Sequence, residues 1–291
     1  MKSTLRHVTR VLCLIWIIFS EPAYAAFSIN INGLEGSGFG GYQSMLDDAA
    51  AYWQSIITGY QWNIQLSQSM IDSGLYVTDA NGCLAGVNIT AGFAALGTGV
   101  LGQAGPRQVV LVDSLGVMFS GTGVMMFSTA YYSSNDVDFN LYPVILHEMA
   151  HILGFGTLWS YFYGGITYND VLDANGNYIG ANALNTYRIE FNQPGAAYIP
   201  VETNGGKGTA GSHWLEVEYG AADTGIVSIY GEDMRYELMT GWANDPMFTS
   251  MTTIASFADM GYTVVPEPVA ILMVAAVGIL FGLYRRFFNK F

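Results

Sequence analysis

Residues 143–159 read PVILHEMAHILGFGTLW, and no other stretch constrains the chain as strongly. Residues four apart share one face of a helix, so His147 and His151 can aim a ring nitrogen at the same point. Glu148 sits one step round, aimed past that point. A zinc ion held by two such histidines acidifies a bound water, and a carboxylate in this position is placed to take the water's proton. The run VILHEMAHIL around the pair is apolar, as suits a buried helix. Asn140 is the expected N-cap, Pro143 fits the first turn and Gly154 stops the helix.

A catalytic zinc takes three protein ligands and keeps one position open. Past residue 25 the chain has only one other histidine, His213, in GSHWLE. In short versions of the motif the third histidine stands six residues after the second, but that position is Thr157. If residues 155–212 loop out and return, His213 takes its place. Asp170 or Asp173, acids downstream of the helix, are the alternative third ligands. Further on, YELMTGW sets Met239 in a glycine-bounded turn, where a methionine can pack an apolar floor beneath a metal site.

Outside this region the pattern is that of an α+β domain. SMLDDAAAYWQSIITG has helical spacing through Met45, Ala49, Trp53 and Ile56, with Gly59 as its end. Arg107–Asp113 and Gly123–Ser128 read as strands. SMTTIASFADMG reads as a closing helix, and residues 160–240 as mostly loops and short strands. Asp-Ala-Asn-Gly occurs at 79–82 and 173–176, each time as a turn signal. Asp173, Asn175 and Asn177 spell part of a calcium loop, but the twelve-residue pattern is incomplete and a turn is the better reading.

Charge and termini concern location. Residues 1–25 have a basic start, a short apolar core (Val11 to Phe19) and Ala23-Tyr24-Ala25, the form of a cleaved export signal. Of 10 Lys and Arg and 23 Asp and Glu, residues 26–265 keep 4 and 21, a formal charge of 4 − 21 = −17. That excludes nucleic acid and anionic membrane surfaces as partners. Cys83 is the only cysteine after the signal, so it has no partner for an internal disulfide and reads as an apolar Cys. The tail has Pro266-Glu267-Pro268, an apolar run at about 269–284, then Arg285, Arg286 and Lys290. This order resembles the PEP-CTERM sorting signal of Gram-negative bacteria. The resemblance implies a transient membrane helix, an exosortase-type sorting enzyme as partner, and delivery to the cell surface or extracellular matrix.

The motifs together resemble a known family. His147-Glu148-x-x-His151-x-x-Gly154-Phe155-Gly156-Thr157-Leu158-Trp159, a long insertion to His213, and Glu237-Leu238-Met239-Thr240-Gly241 are similar to leishmanolysin and its bacterial relatives, which are metzincin zinc peptidases. AAAYWQSIITG, Leu101–Pro106 as a loop before a strand, Tyr178–Leu184, and MTTIASFADMGYTV extend the likeness. It implies His147, His151 and His213 as zinc ligands, Glu148 as base, Met239 in a Met-turn, and a protein or peptide substrate. The expected fold is a metzincin-like zincin over residues 26–265. Its N-terminal part, about 26–156, would have a twisted sheet and two helices, and its C-terminal part, about 157–265, would be less regular. The chain departs from the parasite enzymes in lacking room for their disulfides and inhibitory pro-region. Trp242, not a tyrosine, follows the Met-turn, and Tyr236 has no assigned role. Two other readings stay open: a non-catalytic matrix or adhesion protein, and a zinc hydrolase of a non-peptide amide.

Overall fold

A computed structural model describes residues 26–33, 42–132 and 140–265. The export signal, the Pro-Glu-Pro segment and the apolar run near the C-terminus lie outside the described residues. Among the described residues no helix is long and apolar enough to cross a membrane.

The architecture is mixed α and β, built on one twisted four-stranded sheet. The chain runs β1 (Ser28–Gly33), α1 (Gln43–Ile56), β2 (Ile57–Tyr60), α2 (Gln68–Asp72), β3 (Gly86–Ala94), β4 (Gly102–Val112) and β5 (Val117–Ser128). It continues through α3 (Thr129–Tyr132), α4 (Leu141–Leu153), the hairpin β6 (Tyr161–Tyr163) and β7 (Ile166–Tyr168), α5 (Ala181–Glu190), α6 (Met251–Asp259) and β8 (Tyr262–Val264). The sheet order is β1-β3-β5-β4, with β1, β3 and β5 parallel and β4 antiparallel at the edge.

β3 and β5 read as near-continuous apolar or small residues because parallel strands are covered on both faces. Helices α1 and α4 pack on the sheet and on each other. Trp53 of α1 is fully buried, and its indole N–H donates to the Leu146 carbonyl at 3.1 Å. The main apolar core takes in Phe27, Val87 and Phe127 from the N-terminal half and Trp214, Phe257 and Tyr262 from the C-terminal half, and a small second cluster joins Met118, Leu158 and Tyr168.

Several elements differ from the sequence reading. α1 ends at Ile56 rather than at Gly59, because Ile57–Tyr60 turns extended to pair antiparallel with β8. The two expected strands are longer, and Leu101–Pro106 is not a loop. From Gly102 onward it is the first half of β4, paired with β5 from Gly102↔Phe127. Pro106 is tolerated there because β4 is an edge strand and its register shifts at that point. Within 160–240, mostly turns and isolated bridges, α5 is a full helix. Gly180, its N-cap, has no capping side chain. The backbone N–H groups of Asn182 and Ala183 donate instead to the Asp259 carboxylate, at 2.7 and 3.0 Å. The cap comes from α6, far along the chain, so nothing local announces it.

Both Asp-Ala-Asn-Gly segments are turns. Asp79 accepts from the N–H groups of Asn81 and Cys83, and Asp173 from those of Asn175 and Asn177. The Asp173 carboxylate is thus committed to closing its own turn.

Candidate metal centre

Helix α4 begins as its sequence requires. The Asn140 side chain accepts from the Tyr142 N–H at 3.1 Å, and Gly154 ends the helix at φ 115°, in the left-handed region. The chain then folds under the helix end. The Thr157 hydroxyl, where short versions of the motif carry histidine, donates to the His151 carbonyl at 2.6 Å. Thr157 therefore caps the helix.

His213 returns to the same place. The Nε2 atoms of His147, His151 and His213 lie 3.0, 3.0 and 3.1 Å from one another. They form the one group of three or more His, Cys, Asp or Glu side chains among the described residues that is placed to hold a metal ion. Asp170 and Asp173 are not part of it.

Hydrogen bonding fixes what these nitrogens present. Nδ1 of His147 contacts the Leu238 carbonyl at 2.7 Å, that of His151 the Phe155 carbonyl at 2.9 Å, and that of His213 the Thr209 carbonyl at 2.9 Å. A carbonyl oxygen only accepts, so each Nδ1 carries the proton. In a neutral imidazole the Nε2 then holds a bare lone pair. Three bare lone pairs about 3 Å apart cannot bond one another. They repel unless a cation stands between them, and a soft-to-borderline divalent ion such as zinc suits three imidazoles. The donor set fits zinc.

Burial keeps all three rings neutral. It lowers the pKa of His147, and it lowers His151 well below the usual value with help from His147 and His213. Burial and then the charge of His147 bring His213 to about 3. An unfolded histidine titrates near 6.5. Below that pH the unfolded chain binds more protons than the folded one, so these groups lend stability above about pH 6.5 that is lost as pH falls toward the folded values. Glu148 and Glu216, raised by burial to about 8 and about 7, act in the opposite sense over the same range, so the contribution of a ring is read by difference. We expect the stability of the metal-free protein to fall below about pH 6.5 more steeply than that of a His213→Gln variant, by about 1.4 kcal/mol per pH unit for the ring removed. Melting scans of the two proteins against pH check this, and profiles that run parallel between about pH 6.5 and 4 would contradict it.

Glu148 is 5% exposed, and burial pushes its carboxyl up to about 8. It lies beside the start of β4. A Cβ added to Gly102 would stand 2.6 Å from Glu148 Oε1 and 2.9 Å from its Cδ and Cγ. Gly102 is thus a position the sequence reading passed over, and only the tertiary contact reveals it. Gly102→Ala should displace the carboxylate by about 1 Å, a shift that costs about 10²-fold in a reaction for which Glu148 is the base, while the histidine cluster keeps its affinity for metal. An activity assay beside metal titration tests this, and unchanged turnover would show that Glu148 has slack.

The Met239 turn is latched to the histidines from below. Met239 is fully buried, and the carbonyl before it, on Leu238, holds His147. Its own carbonyl accepts from the N–H of Trp214, the residue after His213, at 3.1 Å. Glu237, fully buried, accepts from the Met239 N–H and from Ser250 and Thr253, which fixes the turn to α6.

The three histidines and Glu148 line a cleft of about 810 Å³. The start of β4, residues around Thr209 and Thr240–Ala243 also line it.

An open cleft over a neutral triple-histidine cluster, with a buried glutamate beside it on the same helix, is the arrangement of a metal-dependent hydrolase. The leishmanolysin family model matches residues 117–278, more than half of the chain, and the chain belongs to that family. The family is one of metallopeptidases that use zinc. The match takes in α4, His213 and Met239, and it begins at β5, after Gly102. Comparison with curated proteins found no match.

Proposed function

We propose that this chain is a zinc-dependent endopeptidase, exported and sorted to the cell surface. The convergence of three unprotonated Nε2 atoms on the floor of an open cleft carries the reading. His147, His151 and His213 would hold the zinc. When bound, zinc acidifies a water molecule and polarises the scissile carbonyl.

The chain's own residues do the rest. Glu148 takes the proton from the attacking water and returns it to the leaving nitrogen, which would otherwise depart as an unstable amide anion. An extended peptide would lie along β4, whose outer edge borders the cleft and has no strand paired to it among the described residues. Main-chain hydrogen bonds there would hold the peptide with little regard to side chains. The carbonyls of Leu238, Phe155 and Thr209 keep each imidazole in the tautomer that leaves Nε2 free.

The test is digestion of a denatured protein mixture, with and without a zinc chelator. Cleavage at internal bonds that stops on chelation and returns with zinc is the expected result. A folded, zinc-loaded protein that cuts no peptide would overturn the peptidase reading and favour a binding role or a non-peptide amide. Export and sorting are tested separately. Mature protein recovered from outside the cell should begin at Ala26 and lack the tail beyond Pro266-Glu267-Pro268.

A further inference from the structure

Away from the histidine cluster, the buried carboxylates among the described residues have a donor on each oxygen, with one exception. Glu190 accepts from the Met251 N–H on one oxygen and from the N–H and hydroxyl of Thr252 on the other. Glu237 has donors on both oxygens as well. The exception is Glu216. It is 5% exposed, its Oε1 accepts from the Trp242 N–H at 2.9 Å, and its buried Oε2 has no hydrogen-bond partner. The Thr240 hydroxyl and the Gly241 N–H are close enough to act on the carboxyl, but neither bonds Oε2. The Thr240 hydroxyl already has the Glu237 and Trp242 carbonyls in reach.

Glu216 faces a second acid. Glu202, 2% exposed, accepts from the Asn204 N–H at 2.6 Å and the Glu216 N–H at 3.0 Å. Both carboxylates line a cavity of about 120 Å³, separate from the cleft, with Asn204, Glu218, Tyr219 and Trp242 around it. Among the described residues no basic side chain answers them. The only ion pair among the described residues joins Arg235 to Asp223. Arg188 is engaged with Ala196 and Asn185, Lys207 lines the cleft, and Arg107 is on the surface. Two buried carboxylates with a bare oxygen and no counter-charge are costly unless one takes up a proton, as burial favours for Glu216 by raising it to about 7, or a cation is supplied from outside; a cation would satisfy the bare oxygen and both charges at once.

We propose that Glu202 and Glu216 form a site for a hard divalent cation, with Glu218 and Asn204 at its mouth. The donors are all oxygen and the cavity has room for an ion with waters, which is calcium chemistry rather than zinc chemistry. The position gives the ion a task. Glu202 donates its N–H to the His213 carbonyl, and Glu216 holds the residue that follows the Met239–Gly241 turn. An ion between the two carboxylates would fasten the strap bearing His213 to the turn that holds His147. The site stands independently of the peptidase reading.

The experiment uses the zinc-loaded full chain and terbium(III) as an oxygen-seeking probe. Trp242 and Tyr219 line the cavity and would sensitise terbium emission. We expect saturable emission that calcium displaces, and a melting temperature that calcium raises. Glu216→Gln should weaken terbium binding about tenfold or more while zinc content is unchanged. Glu218→Gln, at an exposed residue that leaves the fold alone, should weaken it less. Asp173→Asn, in the turn with a partial calcium pattern, should change nothing. The proposal is overturned if calcium neither displaces terbium nor raises the melting temperature. It is equally overturned if both glutamate variants bind as the parent does, or if binding is lost in Asp173→Asn instead.

Discussion

Glu148→Gln should lower peptide hydrolysis about 10²- to 10⁴-fold, the range supplied by a positioned general acid and base, while zinc binding stays at one ion. The side chain is buried in a pocket closed on one side by Gly102, and glutamine has nearly the same shape. No Nδ1 of the three histidines is held by Glu148, since each donates to a carbonyl. The substitution therefore removes the proton acceptor and leaves the metal cluster alone. Titration with a chromophoric zinc chelator, run beside the peptidase assay, separates the two effects. Retained turnover would remove Glu148 from the role of base. Loss of the metal together with the activity would make it structural.

Gly156→Ala should act on the metal instead. Gly156 has φ +69°, and a Cβ there would stand 2.2 Å from the Ser212 carbonyl oxygen and 2.8 Å from its carbonyl carbon. The left-handed conformation alone costs about 1–2 kcal/mol for a residue with a side chain. The collision is with backbone, and it falls on the residue just before His213. The strap carrying the third histidine must move away from α4, and a displaced ligand can cost about 10- to 100-fold in metal affinity. We expect weaker zinc binding, lower activity at limiting zinc, and partial recovery at high zinc. Affinity and activity equal to those of the parent would mean that the approach of residues 156 and 212 does not position His213.

These two positions mark how far the site could be read from the sequence. His147, Glu148 and His151 lie within one helical turn or so, and helix geometry alone brings them together. His213 was legible because no other histidine remained, and Met239 because it followed His213 in order. The contacts that set the site were not legible. The carbonyls of Leu238, Phe155 and Thr209 belong to no side-chain pattern. The glycines at 102 and 156 are two among 35, and only the close approach of Glu148 and of Ser212 distinguishes them.

The fold divides in the same way. α4 and α6 carry their own caps, Asn140 and Ser250, and both helices are legible in the sequence, although only Asn140 is singled out there as a cap. β1 and β3 were missed because a parallel pair so distant in sequence has no turn to announce it. α5 was missed because Asp259 supplies its cap. β4 was truncated because its first residues, Gly-Gln-Ala-Gly-Pro, have little strand character and are held extended by β5 alone.

The central claim is that His147, His151 and His213 together hold the catalytic zinc. Diffraction from crystals of active protein at the zinc absorption edge tests it most directly. The account predicts a single anomalous peak about 2.0–2.1 Å from each of the three Nε2 atoms. A peak bound elsewhere, or crystals of cleaving protein with no zinc at this cluster, would contradict it.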